Sequence, residues 1–157
     1  MQKKCFFTGH KNTSDEIFPL LVEAVERHIV EYGVTDFYVG HYGHFDYMAG
    51  QAVIQAKEKY PHVKLTLLLP YHPFDQPIPT PKGFDGTYYP NGMETVPKRF
   101  AIVKANQFML KECTHLIAYV WNTFGGSGKL LEYAERFEKK GQLCIENLAK
   151  NKKGISF

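Results

Sequence analysis

Short apolar runs separated by amphipathic stretches leave this chain few architectures. Cys5-Phe6-Phe7-Thr8, Asp36-Phe37-Tyr38-Val39, Val63-Lys64-Leu65-Thr66-Leu67-Leu68-Leu69, Leu116-Ile117-Ala118-Tyr119-Val120 and Leu143-Cys144-Ile145 have strand length. They are mostly apolar on both faces, the pattern of strands covered on both sides by helices. Between them apolar residues recur at helical spacing: Ile17, Leu20, Leu21, Ala24 and Val25, then Phe45, Met48, Ala49, Ala52 and Val53. Ile102, Ala105, Met109 and Cys113 form a third such face, and Leu130, Tyr133, Ala134 and Phe137 a fourth. This alternation predicts a doubly wound parallel α/β sheet of about five strands in three layers. With 157 residues there is room for one domain, expected over 1–146, with 147–157 as a tail. Lys150, Lys152 and Lys153 make that tail a solvated end, in which Ile155 and Phe157 are the residues able to dock.

Punctuation residues locate the joints. Pro19 suits a helix that starts near Phe18, entered by the turn Ser14-Asp15-Glu16, and Gly33 suits its end. Thr95-Val96-Pro97 reads as the opening of the third helix, with Thr95 as cap. From 70 to 94 the chain holds Pro70, Pro73, Pro77, Pro79, Pro81 and Pro90 with Gly83, Gly86 and Gly92, which predicts one long irregular segment.

Composition removes several function classes. A net charge of +3 is too small to demand nucleic acid as a partner. No apolar run approaches a membrane span, and Gly9-His10-Lys11-Asn12 ends the apolar start too early for a signal peptide, so a cytoplasmic protein is expected. Cys5, Cys113 and Cys144 are odd in number and far apart; they read as small core residues, not as a disulfide framework or zinc site. Many of the 10 tyrosines belong at surfaces or pocket walls, where their hydroxyls find partners.

The loop after the fourth run carries the sharpest chemistry. Gly125-Gly126-Ser127-Gly128-Lys129 stands directly before a helix, where free backbone N–H groups and the positive dipole end favour an anion. Ser127 adds a hydroxyl and Lys129 a charge; the Walker spacing is absent, since Leu130 follows Lys129. Glu132, placed in the first turn, either complements the dipole or serves as a general base. After the second run, Gly40-His41-Tyr42-Gly43 leads into Phe45-Asp46, with Asp46 either capping the helix or holding a ribose hydroxyl. His41 and His44 lie three apart, but no Glu or Cys accompanies them and no metal site is assigned. After the first run, Thr8, Gly9 and His10 sit at a strand tip, with Lys11 available for a phosphate. Lys98, Arg99 and Lys104, near Asn106 and Gln107, form either a solvated helix face or an anion-facing edge.

Taken in order, Thr8-Gly9-His10, Phe37-Tyr38-Val39-Gly40 with Phe45-Asp46, Lys104-Ala105-Asn106-Gln107-Phe108-Met109 before Leu116-Ile117-Ala118-Tyr119, and Gly125-Gly126-Ser127-Gly128-Lys129 with Glu132 resemble the YpsA-like branch of the SLOG superfamily. That superfamily also holds the Lonely Guy enzymes and the DprA DNA-processing proteins. The resemblance spans about residues 3–146 and implies a Rossmann-like fold, a nucleotide or nucleotide-derived ligand and a homodimer. In the Lonely Guy pattern PGGxGTxxE, Gly125, Gly126, Gly128 and Glu132 match in place, while Phe124 replaces Pro and Lys129 replaces Thr. That branch's catalytic Arg falls at about Asn106, and the nearest arginine here is Arg99.

Three functions are therefore expected in order. The first is nucleotide binding, with phosphate on the 126–129 amides and the base near Tyr42, Tyr71 or Tyr88, and with no cofactor required. The second is hydrolysis of a nucleotide's N-glycosidic bond, with Glu132 as base or nucleophile and Asp46 orienting the ribose. The third is single-stranded DNA binding, which the weak charge opposes.

Overall fold

The computed structural model describes residues 2–150. Six strands form one all-parallel sheet: β1 (Lys4–Gly9), β2 (Asp36–Val39), β3 (Lys64–Leu68), β4 (Gly86–Tyr88), β5 (His115–Tyr119) and β6 (Cys144–Asn147). Their spatial order is β4-β3-β2-β1-β5-β6. The chain thus builds outward from β1 to one edge, then returns to start the other half beside β1. The switch point lies between β1 and β5, the crevice where doubly wound sheets hold their ligands.

Alternation along the strands divides the core in two. Cys5, Phe7, Phe37, Val39, Leu65 and Ile117 face the layer of α1 (Phe18–Val30) and α2 (His44–Lys59). Phe6, Leu68, Leu116 and Ala118 face α3 (Ala101–Glu112) and α4 (Gly126–Lys139). Each buried aromatic or aliphatic side chain contributes about 1.5–3 kcal/mol by leaving water, so both faces are strongly held.

The sheet has six strands where the sequence suggests about five. The extra strand, β4, lies inside the proline-rich segment and pairs with β3 through Thr66–Gly86, Leu67–Thr87 and Leu68–Tyr88. Three residues are too few to show a period, and β4 is anchored by side chains from outside it. Asp85 Oδ2 accepts the Leu65 N–H at 2.8 Å and an N–H of Lys57 at 2.5 Å, and Tyr88 donates its hydroxyl to Glu112.

Other joints differ as well. The third helix starts at Ala101, after two short 3-10 turns at Met93–Thr95 and Lys98–Phe100. Thr95 donates its hydroxyl to the Gly92 carbonyl instead of capping α3. The first helix follows expectation, with Ser14 accepting the Glu16 N–H at the entry turn and Gly33 at φ +72° beyond the end. At the other terminus β6 runs through Asn147, and Asn147, Leu148 and Ala149 are buried, so packed structure continues past 146. Ile155 and Phe157 lie outside the described residues. Cys5 and Cys113 are buried free thiols, whereas Cys144 is exposed because β6 is an edge strand. No described helix is long and apolar enough to cross a membrane.

Candidate functional site

The carboxyl ends of β1 and β5 meet at the switch point, and their loops are tied directly together. Ser127 donates its hydroxyl to the Gly9 carbonyl at 2.8 Å. His10 Nε2 accepts the N–H groups of Trp121 and Asn122 at 3.2 and 3.4 Å, and its ring lies 4.9 Å from the Trp121 ring. Burial lowers the His10 pKa. Asn122 Oδ1 accepts the Phe124 N–H, bending the chain toward Gly125, whose φ of +86° suits only glycine. The first helical bond of α4 then runs from the Lys129 N–H to the Gly125 carbonyl.

The turn before that bond is open. A Cβ built at Gly125 or Gly126 meets nothing within 4 Å, and both residues are exposed. The Gly126, Ser127 and Gly128 amides belong to the first turn of a helix, where N–H groups have no intrahelical acceptor. Gly128 has another role: a Cβ there would lie 2.3 Å from the Thr123 carbonyl oxygen, so this position lets the helix fold back on its own loop. Lys129 is exposed beside the turn. Glu132 is also exposed but sits in the second turn of α4, because the helix already starts at Gly126. It is one turn further from the amides than the sequence suggests.

The loop after β2 is built against the loop after β1. The His44 N–H donates to the Lys11 carbonyl at 2.9 Å, and a Cβ on Gly43 would reach within 2.9 Å of the Lys11 backbone. Gly9 allows a similar approach, since a Cβ there would enter the Phe45 ring. Asp46 is half-buried, and its Oδ2 accepts the Tyr42 N–H at 3.1 Å across Gly40. It therefore ties the loop rather than the helix N-terminus. Burial pushes its carboxyl up to about 6, opposed by that one amide. The His41 ring lies 4.1 Å from the Tyr42 ring, and burial lowers the His41 pKa. Burial also raises the Tyr42 hydroxyl, with Tyr71 adding to it.

Gly40, Tyr42 and Asn106 are brought together in a cleft of about 10 Å³ that also touches Leu68, Pro70, Ile102 and Ala105. That volume holds about one water. Thr8 is buried in the sheet just before Gly9. Lys98, Arg99 and Lys104 stay exposed on the approach to α3 and its first turns, and Arg99 lies over Phe100. His44 pairs with Asp15 at 2.5 Å instead of joining His41, and no group of three or more His, Cys, Asp or Glu suited to a metal forms among the described residues. On the far side of His44 a groove of about 500 Å³ runs between α1 and α2, bordered by Phe18, Tyr47 and Met48.

Sequence reasoning missed one positioning residue. Asn147 accepts the Val120 N–H at 3.1 Å and donates to the Val120 carbonyl at 3.0 Å, fixing the end of β5 just ahead of the glycine loop. Its signal was the polar residue closing an apolar run, which reads equally well as the start of a tail. No known family model matches the chain, and no curated protein matches it.

Proposed function

We propose that this protein binds a nucleotide or nucleotide-derived ligand, with its phosphate on the amides of Gly126, Ser127 and Gly128. The observation that carries this reading is the open first turn of α4 at the crevice between β1 and β5. A helix N-terminus there presents aligned N–H groups to an anion, and glycine keeps the approach free of side chains. The resemblance to YpsA-like SLOG domains supports the same ligand class, and with it a homodimer. Lys129 supplies the counter-charge, while Tyr42 and Asn106 offer polar groups at the edge of the one-water cleft.

The test is a thermal-shift screen of mono-, di- and cyclic nucleotides against the full chain, repeated with Gly126→Glu. Nucleotide should raise the Tm of the wild type and leave the variant unmoved, because a carboxylate carried on the open first turn repels the phosphate. A panel without any stabilising nucleotide removes the reading.

Asp46 favours a second reading, cleavage of the N-glycosidic bond. A carboxyl pushed up to about 6 exchanges protons near neutrality, as a general acid–base requires. In that reading Asp46 faces the ribose and Glu132 remains the base or nucleophile. Release of free base from any nucleotide, lost in Asp46→Asn and Glu132→Gln, separates it from simple binding.

A further inference from the structure

The switch point holds a second set of convergent donors, five residues ahead of the α4 turn. The N–H groups of Trp121 and Asn122 are consecutive, and both point at one atom, His10 Nε2. Successive amides that share one acceptor form a concavity suited to an anionic oxygen. Its occupant here is the protein's own imidazole. Both bonds are long, and the ring is otherwise steadied by Trp121, which is itself 62% exposed. A charged oxygen makes shorter bonds to such donors, roughly twice as strong as neutral ones.

We propose that the Trp121 and Asn122 amides form an oxyanion site which His10 fills in the free protein and surrenders to an anionic ligand oxygen. This deepens the proposed function by giving the same crevice a gate, and it rests on that reading only for the nature of the natural ligand. Sulfate, carboxylate and phosphate oxygens share the chemistry the site selects.

The exchange is linked to a proton. To accept two N–H groups, Nε2 must be unprotonated, with the ring hydrogen on Nδ1. A proton taken from solvent onto Nε2 would set three donors against one another, so the charged ring has to leave. The groups facing the ring are these two amides and the Trp121 indole. Burial lowers its pKa, without a contribution from any charged side chain; Lys11 next to it in the chain and Lys129 on α4 are both exposed. Once released, the imidazolium is a counter-charge for the arriving anion. Anion binding must therefore tighten as pH falls and, reciprocally, must raise the His10 pKa.

Amide NMR of the ¹⁵N-labelled full chain tests this, with sulfate as the probe because it does not titrate in the range used. On lowering the pH from about 8 to about 5.5, across the histidine range, the Trp121 and Asn122 resonances should move together along one curve. Sulfate should shift the same two amides and bind about tenfold more tightly at the lower pH, a coupling of ordinary size. His10→Gln, which keeps an acceptor oxygen but does not titrate, should abolish the pH dependence of both. His10→Phe keeps a ring on Trp121 without an acceptor, and should bind sulfate equally at both pH values. Amides that stay still while the His10 ring titrates, or a wild-type sulfate affinity independent of pH, would overturn the inference. A nucleotide that raises the Tm while these two amides do not respond would leave the proposed function standing and remove the gate. Coupled titration and sulfate binding with no nucleotide stabilisation would do the reverse.

Discussion

Asp46 is held where ionisation is unfavourable. Its carboxyl is pushed up to about 6, against an ordinary value of 3.8, and a single amide bond from Tyr42 compensates. The folded state therefore holds the Asp46 proton more tightly than the unfolded chain, and at neutral pH the charged form costs stability. Asp46→Asn should keep an acceptor for the Tyr42 N–H while removing the charge. We expect it to raise stability at pH 7 by on the order of 2 kcal/mol, with the gain shrinking as pH falls through 6 toward 3.8. Urea unfolding of both proteins across that range measures it, and a loss of stability at pH 7 would refute this view. Such a cost is common where a carboxylate serves a ligand, and a variant that is more stable but no longer binds would show that trade directly.

Among the elements, α4 shows how glycines of one motif divide the work. Gly126 borders open space, while Gly128 touches the Thr123 carbonyl where a Cβ has no room. Gly128→Ala should lose about 2–3 kcal/mol, since the loop or the first helical turn must shift. Gly126→Ala should change stability by less than about 1 kcal/mol. Chemical denaturation of the two variants separates close packing from ligand access, which sequence alone assigns to both glycines together. Much of the rest was legible. Continuous apolar runs located β1, β2, β3, β5 and β6, and a period of about four residues located the four helices, because burial on both sheet faces leaves the strands without polar alternation. The glycine loop was placed before its helix for the same reason. What escaped depends on partners distant in sequence. β4 is held by Asp85 and Tyr88 through Lys57 and Glu112, and Asn147 acts only because β6 lies beside β5. The sequence places His10 at a strand tip facing a ligand, yet its occupation of the Trp121 and Asn122 amides is a relation between residues more than 110 positions apart. The onset of α3 was misplaced because a proline at 97 permits a 3-10 turn as readily as an α-helix.

At the scale of the whole molecule, Asp46 at the carboxyl end of the sheet and two histidines at its amino end respond to acid in opposite directions. At the amino end of β5, His115 packs edge-on against His28 at 5.4 Å and stacks on Tyr32, while Arg27 pairs with Glu146 nearby. Burial, then the neighbouring His28 and Lys3, bring the His115 pKa from 6.5 down to about 4; His28 is also lowered, mainly by burial. Between those values the unfolded chain carries protons that the folded state refuses, so these histidines stabilise the fold fully above pH 6.5 and progressively less toward pH 4. Asp46, at the carboxyl end, has the opposite sign: from about 6 down to 3.8 the folded state binds the extra proton, and stability rises as pH falls. In the wild type the two slopes offset each other over much of this window. Removing one should expose the other. Asp46→Asn should lose stability between pH 6 and pH 4 more steeply than the wild type, by about 1.4 kcal/mol per pH unit for each uncompensated proton. His115→Phe, which keeps a ring against His28 and Tyr32, should instead flatten the acid limb or reverse it. Unfolding free energies of the three proteins at four pH values decide the matter. Parallel profiles for wild type and Asp46→Asn would mean that the buried carboxyl does not take up its proton in the folded state, and with it would go the acid–base role suggested for Asp46.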